Sequence, residues 1–540
     1  MILIIPTKGC SIKKITQIQL IVLTSLFMLV FDNITFFENV LKVYPLKENA
    51  GFVLSLAVVL FAVTTLVLVL LSSRWTTKPI LILLLVVSSV TNYFMNSYHV
   101  VIDHTMIRNT LQTNLAESMD LLSITQLLYL FFLGLLPAYL VYKAPVVYRS
   151  WSSELAAKFK TVLVLLLLIA APLFIYSKYY TSFFREHKPL RFAANPLYWI
   201  YSSGKYIYLT YNSGPVVVKP IGTDATIIKD GKPPKLVIMV VGEAARADHF
   251  SLNGYQRETN PKLKHAAVIN FENLYSCGTS TAESVPCMFS VYPRKQFSYK
   301  RGINTENVLD VLNHTNEVAL LWRDNNSDSK GVAKRILHED YRTPERNTVC
   351  IEGECRDIGM LVGLDDFIQK HPGKDILIVL HQMGNHGPAY YKRYTKAYEK
   401  YTPVCKTNQL QECKRQEIVN AYDNALGYTD DFLARTIDFL KQYDENRSTA
   451  MLYMADHGES LGEKGIYLHG LPYFIAPDAQ KHVGALFWFG KAWHNDPRIA
   501  HLQAHHKDAY SHDNLFHTIL GLFNVTTDVY DKELDMLSTH

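Results

Sequence analysis

The chain has 540 residues, more than one ordinary soluble domain needs, so two structural units are expected. Its formal net charge of +5 is small for that length, and no dense Lys/Arg block occurs, which argues against a nucleic-acid partner. Residues 1–177 are dominated by apolar runs, while the remainder holds most of the charge and all but one of the cysteines.

Five apolar runs come first, at 15–36, 52–71, 80–96, 126–142 and 161–177. A helix needs ~20 apolar residues to cross a hydrocarbon core of about 30 Å, and the run from Phe52 to Leu71 carries no charge. Five such runs in succession predict five transmembrane helices rather than a cleaved signal peptide ahead of a soluble core. The basic residues set the orientation. Lys8, Lys13, Lys14, Arg74, Lys78, Lys143, Arg149, Lys158 and Lys160 fall on one side, and only Lys42, Lys47 and Arg108 on the other. The richer side is cytoplasmic, so five crossings carry everything after residue 177 out of the cytoplasm. Cysteine usage agrees. Cys10 alone lies on the cytoplasmic side, and Cys277, Cys287, Cys350, Cys355, Cys405 and Cys413 are exported. An even number in an oxidising compartment implies disulfides, and loop-closure economy favours 277–287, 350–355 and 405–413.

Residues 178–232 read as a connector rich in aromatics and cations, with Tyr179, Tyr180, Phe183, Phe184, Arg185, Trp199, Tyr201, Tyr206 and Tyr208 suited to a membrane–water interface. From residue 233 to 540 the pattern is α/β. Continuous apolar runs at Lys235–Val241, Val318–Trp322, Ile376–His381, Ala450–Ala455 and Ala485–Phe489 read as buried strands, with helical stretches such as Gln416–Tyr443 between them. Alternation of this kind predicts a largely parallel sheet covered on both faces, with its site at the carboxyl ends of the strands.

Candidate ligands do follow the apolar runs. Glu243 comes just after the first, His381 closes the third with His386 close behind, and Asp456-His457 follows the fourth directly. A carboxylate and an imidazole at a strand end suit zinc, which takes such ligands at about 2.0–2.2 Å and leaves a position open in catalytic sites. A hydroxyl motif, Cys277-Gly-Thr-Ser-Thr-Ala-Glu-Ser-Val-Pro-Cys287, leads into a predicted helix whose N-terminus favours bound phosphate. A threonine hydroxyl is a poor nucleophile until a metal lowers its pKa. Thr279, Ser280, Thr281 and Ser284 all have a claim to that role, against a plain capping function. Asn326 and Lys330 follow the second run, and His386 and His469 could bind phosphoryl oxygens or protonate a leaving group. His505-His506 and His512-Asp513 read as structural.

These segments resemble the lipid A phosphoethanolamine transferases, including the mobile colistin resistance type. The likeness is carried by 241–249 (VGEAARADH), 276–290 (SCGTSTAESVPCMFS), 321–331 (LWRDNNSDSKG), 381–388 (HQMGNHGP) and 455–462 (ADHGESLG), and it extends over nearly the whole chain. It implies an alkaline-phosphatase/sulfatase-like fold in the exported, periplasmic domain of an inner-membrane protein. It implies one tight zinc site at Glu243, Thr281, Asp456 and His457, with a second ion in turnover left open. Thr281 is then the nucleophile, and Asn326, Lys330, His386 and His469 bind phosphoethanolamine. Asn109, Thr113 and Glu117 match lipid-substrate contacts, and their spacing of four puts them on one helix face. The implied reaction moves phosphoethanolamine from phosphatidylethanolamine to a phosphate of lipid A through a covalent threonine intermediate, conferring polymyxin resistance. A monomer is expected. Two positions depart from the pattern: Ala244 stands where the family usually has Thr, and Glu283 where the colistin resistance enzymes have Tyr. The alternatives are a related membrane phosphoglycerol or other head-group transferase, of the lipoteichoic acid type, and a catalytically silent membrane scaffold.

Overall fold

The computed structural model describes residues 14–113, 118–119, 121–211, 214, 216–351 and 353–539. The chain divides into two compact units, one made of residues up to Ile107 with Leu122–Ile207, the other of Arg108–Leu121 with Tyr208 onward.

The first unit is helical. Helices α1 (Gln17–Phe31) and α2 (Ile34–Val43) are followed by α3 (Leu46–Leu71), α4 (Thr77–Tyr98), α5 (His104–Gln112), α6 (Ile124–Lys143), α7 (Trp151–Ile175), α8 (Ser177–Arg185) and α9 (Leu197–Tyr211), the last turns of α5 and α9 belonging to the second unit. Four of these, α3, α4, α6 and α7, are long and apolar enough to span a membrane, and α1 with α2 makes a fifth if a pair bent by 56° counts as one span. The first apolar run is therefore not one straight helix. It breaks at Asp32-Asn33, where Met28 O accepts both the Asp32 N–H and the Asn33 side-chain amide, each at 3.0 Å. In α6 the segment Leu130–Leu135 widens to a π-helical turn ahead of Pro137, which has no N–H to offer the preceding turn. The core of this unit gathers on Phe52, whose ring meets Tyr180 and Phe183 edge-on at 5.3 and 6.5 Å. Part of the aromatic connector is thus packed inward, while Tyr179, Phe184, Tyr201 and Tyr208 stay exposed.

The second unit is built on a seven-stranded sheet. Its strands are β1 (Lys235–Gly242), β2 (Ile269–Phe271), β3 (Val318–Asp324), β4 (Leu337–Asp340), β5 (Asp375–His381), β6 (Ser448–Ala455) and β7 (Ala485–Phe489), in the order β2-β7-β6-β1-β5-β3-β4. β6, β1, β5, β3 and β4 run parallel. β7 runs antiparallel to both β6 and β2, so the fifth apolar run joins the sheet in the opposite sense to the other four. β1 and β6 are buried at every residue, which is what continuous apolar runs covered on both faces require. The 27-residue helix α11 (Arg415–Lys441) covers the sheet, and the short helix α10 (Thr281–Met288) follows the hydroxyl motif. Disulfides join Cys277–Cys287, Cys350–Cys355 and Cys405–Cys413, the pairing that loop closure favoured.

Register delivers the site. Gly242 pairs with Ala455, Val241 with His381, and His381 with Asp324. Four strands therefore end side by side, and Glu243, Asp456, Gln382 and Asn325 are the first residues beyond them.

Candidate metal centre

Glu243, Asp456 and His457 are buried to within 1% of complete exclusion from solvent, and their ligand-type atoms all lie within 4.8 Å of one another. Each carboxylate has one oxygen engaged and one open. Asp456 Oδ1 accepts the backbone N–H of His457 (2.7 Å) and of Ala244 (3.2 Å). Glu243 Oε2 accepts the Asn326 amide (2.7 Å) and the Thr281 hydroxyl (3.0 Å). Glu243 Oε1 and Asp456 Oδ2 have no hydrogen-bond partner. Both face His457 Nε2, at 3.2 and 3.5 Å. The other ring nitrogen, Nδ1, donates to Gly458 O at 2.9 Å, because a carbonyl can only accept, and this leaves Nε2 as the ligand atom.

Two buried carboxylates converging on one imidazole favour positive charge between them, and the three groups could hold a metal ion. In the chain by itself the demand falls on His457: burial opposes its protonation, but Asp456 and Glu243 outweigh burial and push it up to about 10. Burial also resists ionisation of Glu243, yet His457 holds that carboxyl well below the usual range. Asp456 is pushed up to about 6 by burial and by Glu243. Geometry matches the electrostatics. Ligands of a tetrahedral ion with bonds near 2.0 Å sit about 3.3 Å apart, and Nε2 of His457 lies 3.2, 3.3 and 3.5 Å from Glu243 Oε1, Thr281 Oγ1 and Asp456 Oδ2. The donor set, one imidazole with three oxygens, suits a borderline divalent ion such as zinc.

The four competing hydroxyls separate cleanly. Thr279 Oγ1 donates to Leu471 O, and Ser284 Oγ donates to Asp456 O. Ser280 occupies the N-cap of α10 without a side-chain cap bond. Thr281 Oγ1 alone of the four reaches Glu243 and His457. Two glycines permit the close approach. Gly384 has φ +47°, and a Cβ there would come within 3.0 Å of Glu243 O. A Cβ on Gly458 would come within 2.1 Å of Ala479 O.

Around the cluster, the His469 ring lies 4.2 Å from that of His457 and 5.7 Å from that of His386, and its Nδ1 pairs with the buried Glu459 at 3.3 Å. Asn326 commits both amide hydrogens, to Glu243 and to Gln382 O, so it holds a ligand carboxylate. Lys330 has φ +50° and donates to Ser327 O at 3.3 Å. It borders a cavity of about 230 Å³ together with Gln112 and Tyr299. The Arg108 guanidinium stacks on Tyr299 at 4.2 Å, and Gln112 donates to the Tyr299 hydroxyl at 3.4 Å. Thr113, just past the end of α5, donates to Asn109 O at 2.8 Å; Glu117 lies outside the described residues.

Sequence reasoning read His512 as structural, and it braces the loop that leads to Thr281. Its Nε2–H donates to Ala455 O (3.0 Å), and its Nδ1 accepts the Cys277 N–H (3.0 Å). Burial pushes it down to about 4. No spacing signal links residues more than 200 apart, so this support could not be read from the chain.

The chain is 46% identical to the phosphatidylethanolamine transferase Mcr-2 of Escherichia coli over 95% of its length and 96% of the relative's. It belongs to the phosphoethanolamine transferase family. The family model described as phosphoethanolamine transferase EptA/EptB matches residues 60–211, and the sulfatase model matches 235–525. The phosphoethanolamine transferase EptA of Escherichia coli K12 is 40% identical over 96% of both chains. Among solved structures, the integral membrane lipooligosaccharide phosphoethanolamine transferase A of Neisseria meningitidis matches with a TM-score of 0.93 at 33% identity, covering 97% of this chain and 99% of its own. The protein is therefore a transferase with apolar helices and a sulfatase-like α/β unit.

Proposed function

We propose that this transferase moves phosphoethanolamine from phosphatidylethanolamine to a phosphate of lipid A, with Thr281 as nucleophile and one resident zinc ion held by Glu243, Thr281, Asp456 and His457. One observation carries the reading. The Thr281 hydroxyl sits within hydrogen-bond distance of a buried carboxylate–imidazole cluster whose open oxygens could hold a metal ion, in a chain 46% identical to a phosphatidylethanolamine transferase. Zinc bound there lowers the pKa of the threonine hydroxyl and draws charge from the oxygens of a bound phosphoryl group.

The chain's own residues do the rest. Thr281 Oγ1 directs its proton to Glu243 Oε2 and attacks phosphorus; the bond to the glyceride oxygen breaks, and diacylglycerol leaves with a proton from His469 or His386. Glu459 orients His469 for that transfer. Lys330 offsets phosphoryl charge, and Asn326 fixes the Glu243 carboxylate. A phosphate oxygen of lipid A then gives its proton to the histidine that lost one and attacks phosphorus; the bond from phosphorus to Thr281 Oγ1 breaks, and Thr281 takes its proton back from Glu243. Asn109, Thr113 and Glu117 contact the lipid substrate.

Residues 1–177 form the membrane domain, 178–232 the interfacial linker and 233–540 the catalytic domain, placed on the periplasmic side of the inner membrane. Both substrates are lipids, and tethering raises the effective concentration of the site at the bilayer. The added ammonium group offsets lipid A charge, which weakens polymyxin binding. The enzyme acts as a monomer. Mass spectrometry of lipid A from cells expressing the wild type and Thr281→Ala tests the reading. Phosphoethanolamine on lipid A is expected only with the wild type, and its presence with the variant would remove Thr281 from the role.

A further inference from the structure

We propose that Asp324, a buried carboxylate outside the ligand cluster, is a positioning residue: acting through Asn326 it orients Glu243 and so sets how tightly the centre holds its metal. The proposal rests on the zinc-site reading above.

Asp324 is the last residue of β3 and is 1% exposed. Its carboxylate accepts four N–H groups. Oδ2 takes the indole of Trp322 and Nδ1–H of His381, both at 3.0 Å. Oδ1 takes the backbone N–H of Asn326 at 2.9 Å and of Asp328 at 3.3 Å. One side chain therefore ties the ends of two neighbouring strands to the loop that follows the first. That loop needs tying, because Asp328 and Lys330 have φ of +113° and +50°, a region non-glycine residues enter only at a cost of about 1–2 kcal/mol.

The next link is Asn326, which is fully buried. With its backbone fixed by Asp324, its side-chain amide reaches Glu243 Oε2 and Gln382 O, each at 2.7 Å. Glu243 Oε2 then carries two donors, Asn326 and Thr281, and the carboxylate must present Oε1 to His457. A chain of hydrogen bonds thus runs from Asp324 through Asn326 to Glu243 and Thr281. Outer partners of this kind set the orientation of metal ligands, and losing one costs about 10–100-fold in metal affinity. Asparagine cannot replace Asp324, since one of its two terminal atoms is itself a donor and would face either the Trp322 and His381 donors or the two loop N–H groups.

The test uses the full chain in detergent, with zinc affinity measured by chelator competition and melting temperature followed in parallel. Asp324→Asn is expected to weaken zinc binding about tenfold. Asn326→Ala should weaken it at least as much, and the double variant no further than Asn326→Ala alone, because both act along one path. Unchanged zinc affinity in Asp324→Asn with a lowered melting temperature would reduce Asp324 to a structural role and overturn the proposal, as would additive losses in the double variant. If Asp324→Asn does not fold, His381→Gln, which removes the imidazole donor and keeps the carboxylate, should still lower zinc affinity, and wild-type affinity there would also overturn it. A wild-type chain that binds no zinc would instead remove the functional reading beneath.

Discussion

Two buried histidines in the catalytic unit, separated by one strand end, show how the same side chain is put to opposite uses. Beneath the loop that leads to Thr281, His512 has both ring nitrogens satisfied by backbone, one by Cys277 N–H and one by Ala455 O, and burial pushes it down to about 4. At the strand ends, His457 has only Nδ1 satisfied, while Nε2 faces Glu243, Asp456 and Thr281, and it is pushed up to about 10. A neutral histidine with no open valence is scaffold. One whose second nitrogen meets open carboxylate oxygens is placed to share a cation with them. Burial is complete in both regions, so burial by itself does not distinguish them; the partner of the second nitrogen does.

That contrast can be broken from either side. The largest effect belongs to the strand-end region: Thr281→Ala should lower transfer by at least about a thousandfold, measured by lipid A modification, because it removes the hydroxyl that reaches both Glu243 and His457. His457→Asn should come next, reducing zinc affinity by more than about 100-fold in chelator competition, since a direct ligand matters more than the outer partners that cost 10–100-fold. His512→Ala should do the converse. It leaves a buried N–H and a buried carbonyl unmatched, lowering stability by about 2–4 kcal/mol in denaturant unfolding, while the folded fraction keeps its zinc.

The pH dependence sharpens the same comparison. The unfolded imidazole titrates near about 6.5, and folded His512 is depressed to about 4. The unfolded chain therefore binds more protons between these values, and His512 contributes stability that is fully present above pH 6.5 and is lost as pH falls toward 4. The melting temperature of the wild type should drop over that window more steeply than that of His512→Ala. The smallest effect is expected at the disulfide Cys350–Cys355, where replacing both residues by serine removes a short closed loop. That should cost about 2 kcal/mol of stability and leave lipid A modification intact.

Much of this site was legible in the chain because it is made of strand ends. Continuous apolar runs located β1, β3, β5 and β6, and Glu243 and Asp456-His457 stand directly after two of them. The short edge strands Ile269–Phe271 and Leu337–Asp340 were not legible, since neither is long or apolar enough to stand out. Nor was the sense of β7, which apolarity does not encode. The break at Asp32-Asn33 lay hidden inside an apolar run, since apolarity does not encode a bend. Asn326 was read as a phosphate contact from its place after a strand, whereas its amide is committed to Glu243, 83 residues away in sequence. Contacts of that span depend on strand order and register, which local pattern does not supply.

The most direct test of the account is the mass of lipid A from polymyxin-sensitive cells expressing this chain. The account predicts a phosphoethanolamine adduct with the wild type and unmodified lipid A with Thr281→Ala at equal protein level. Unmodified lipid A from cells making folded, zinc-loaded wild-type protein, or an equal adduct with the variant, would contradict it.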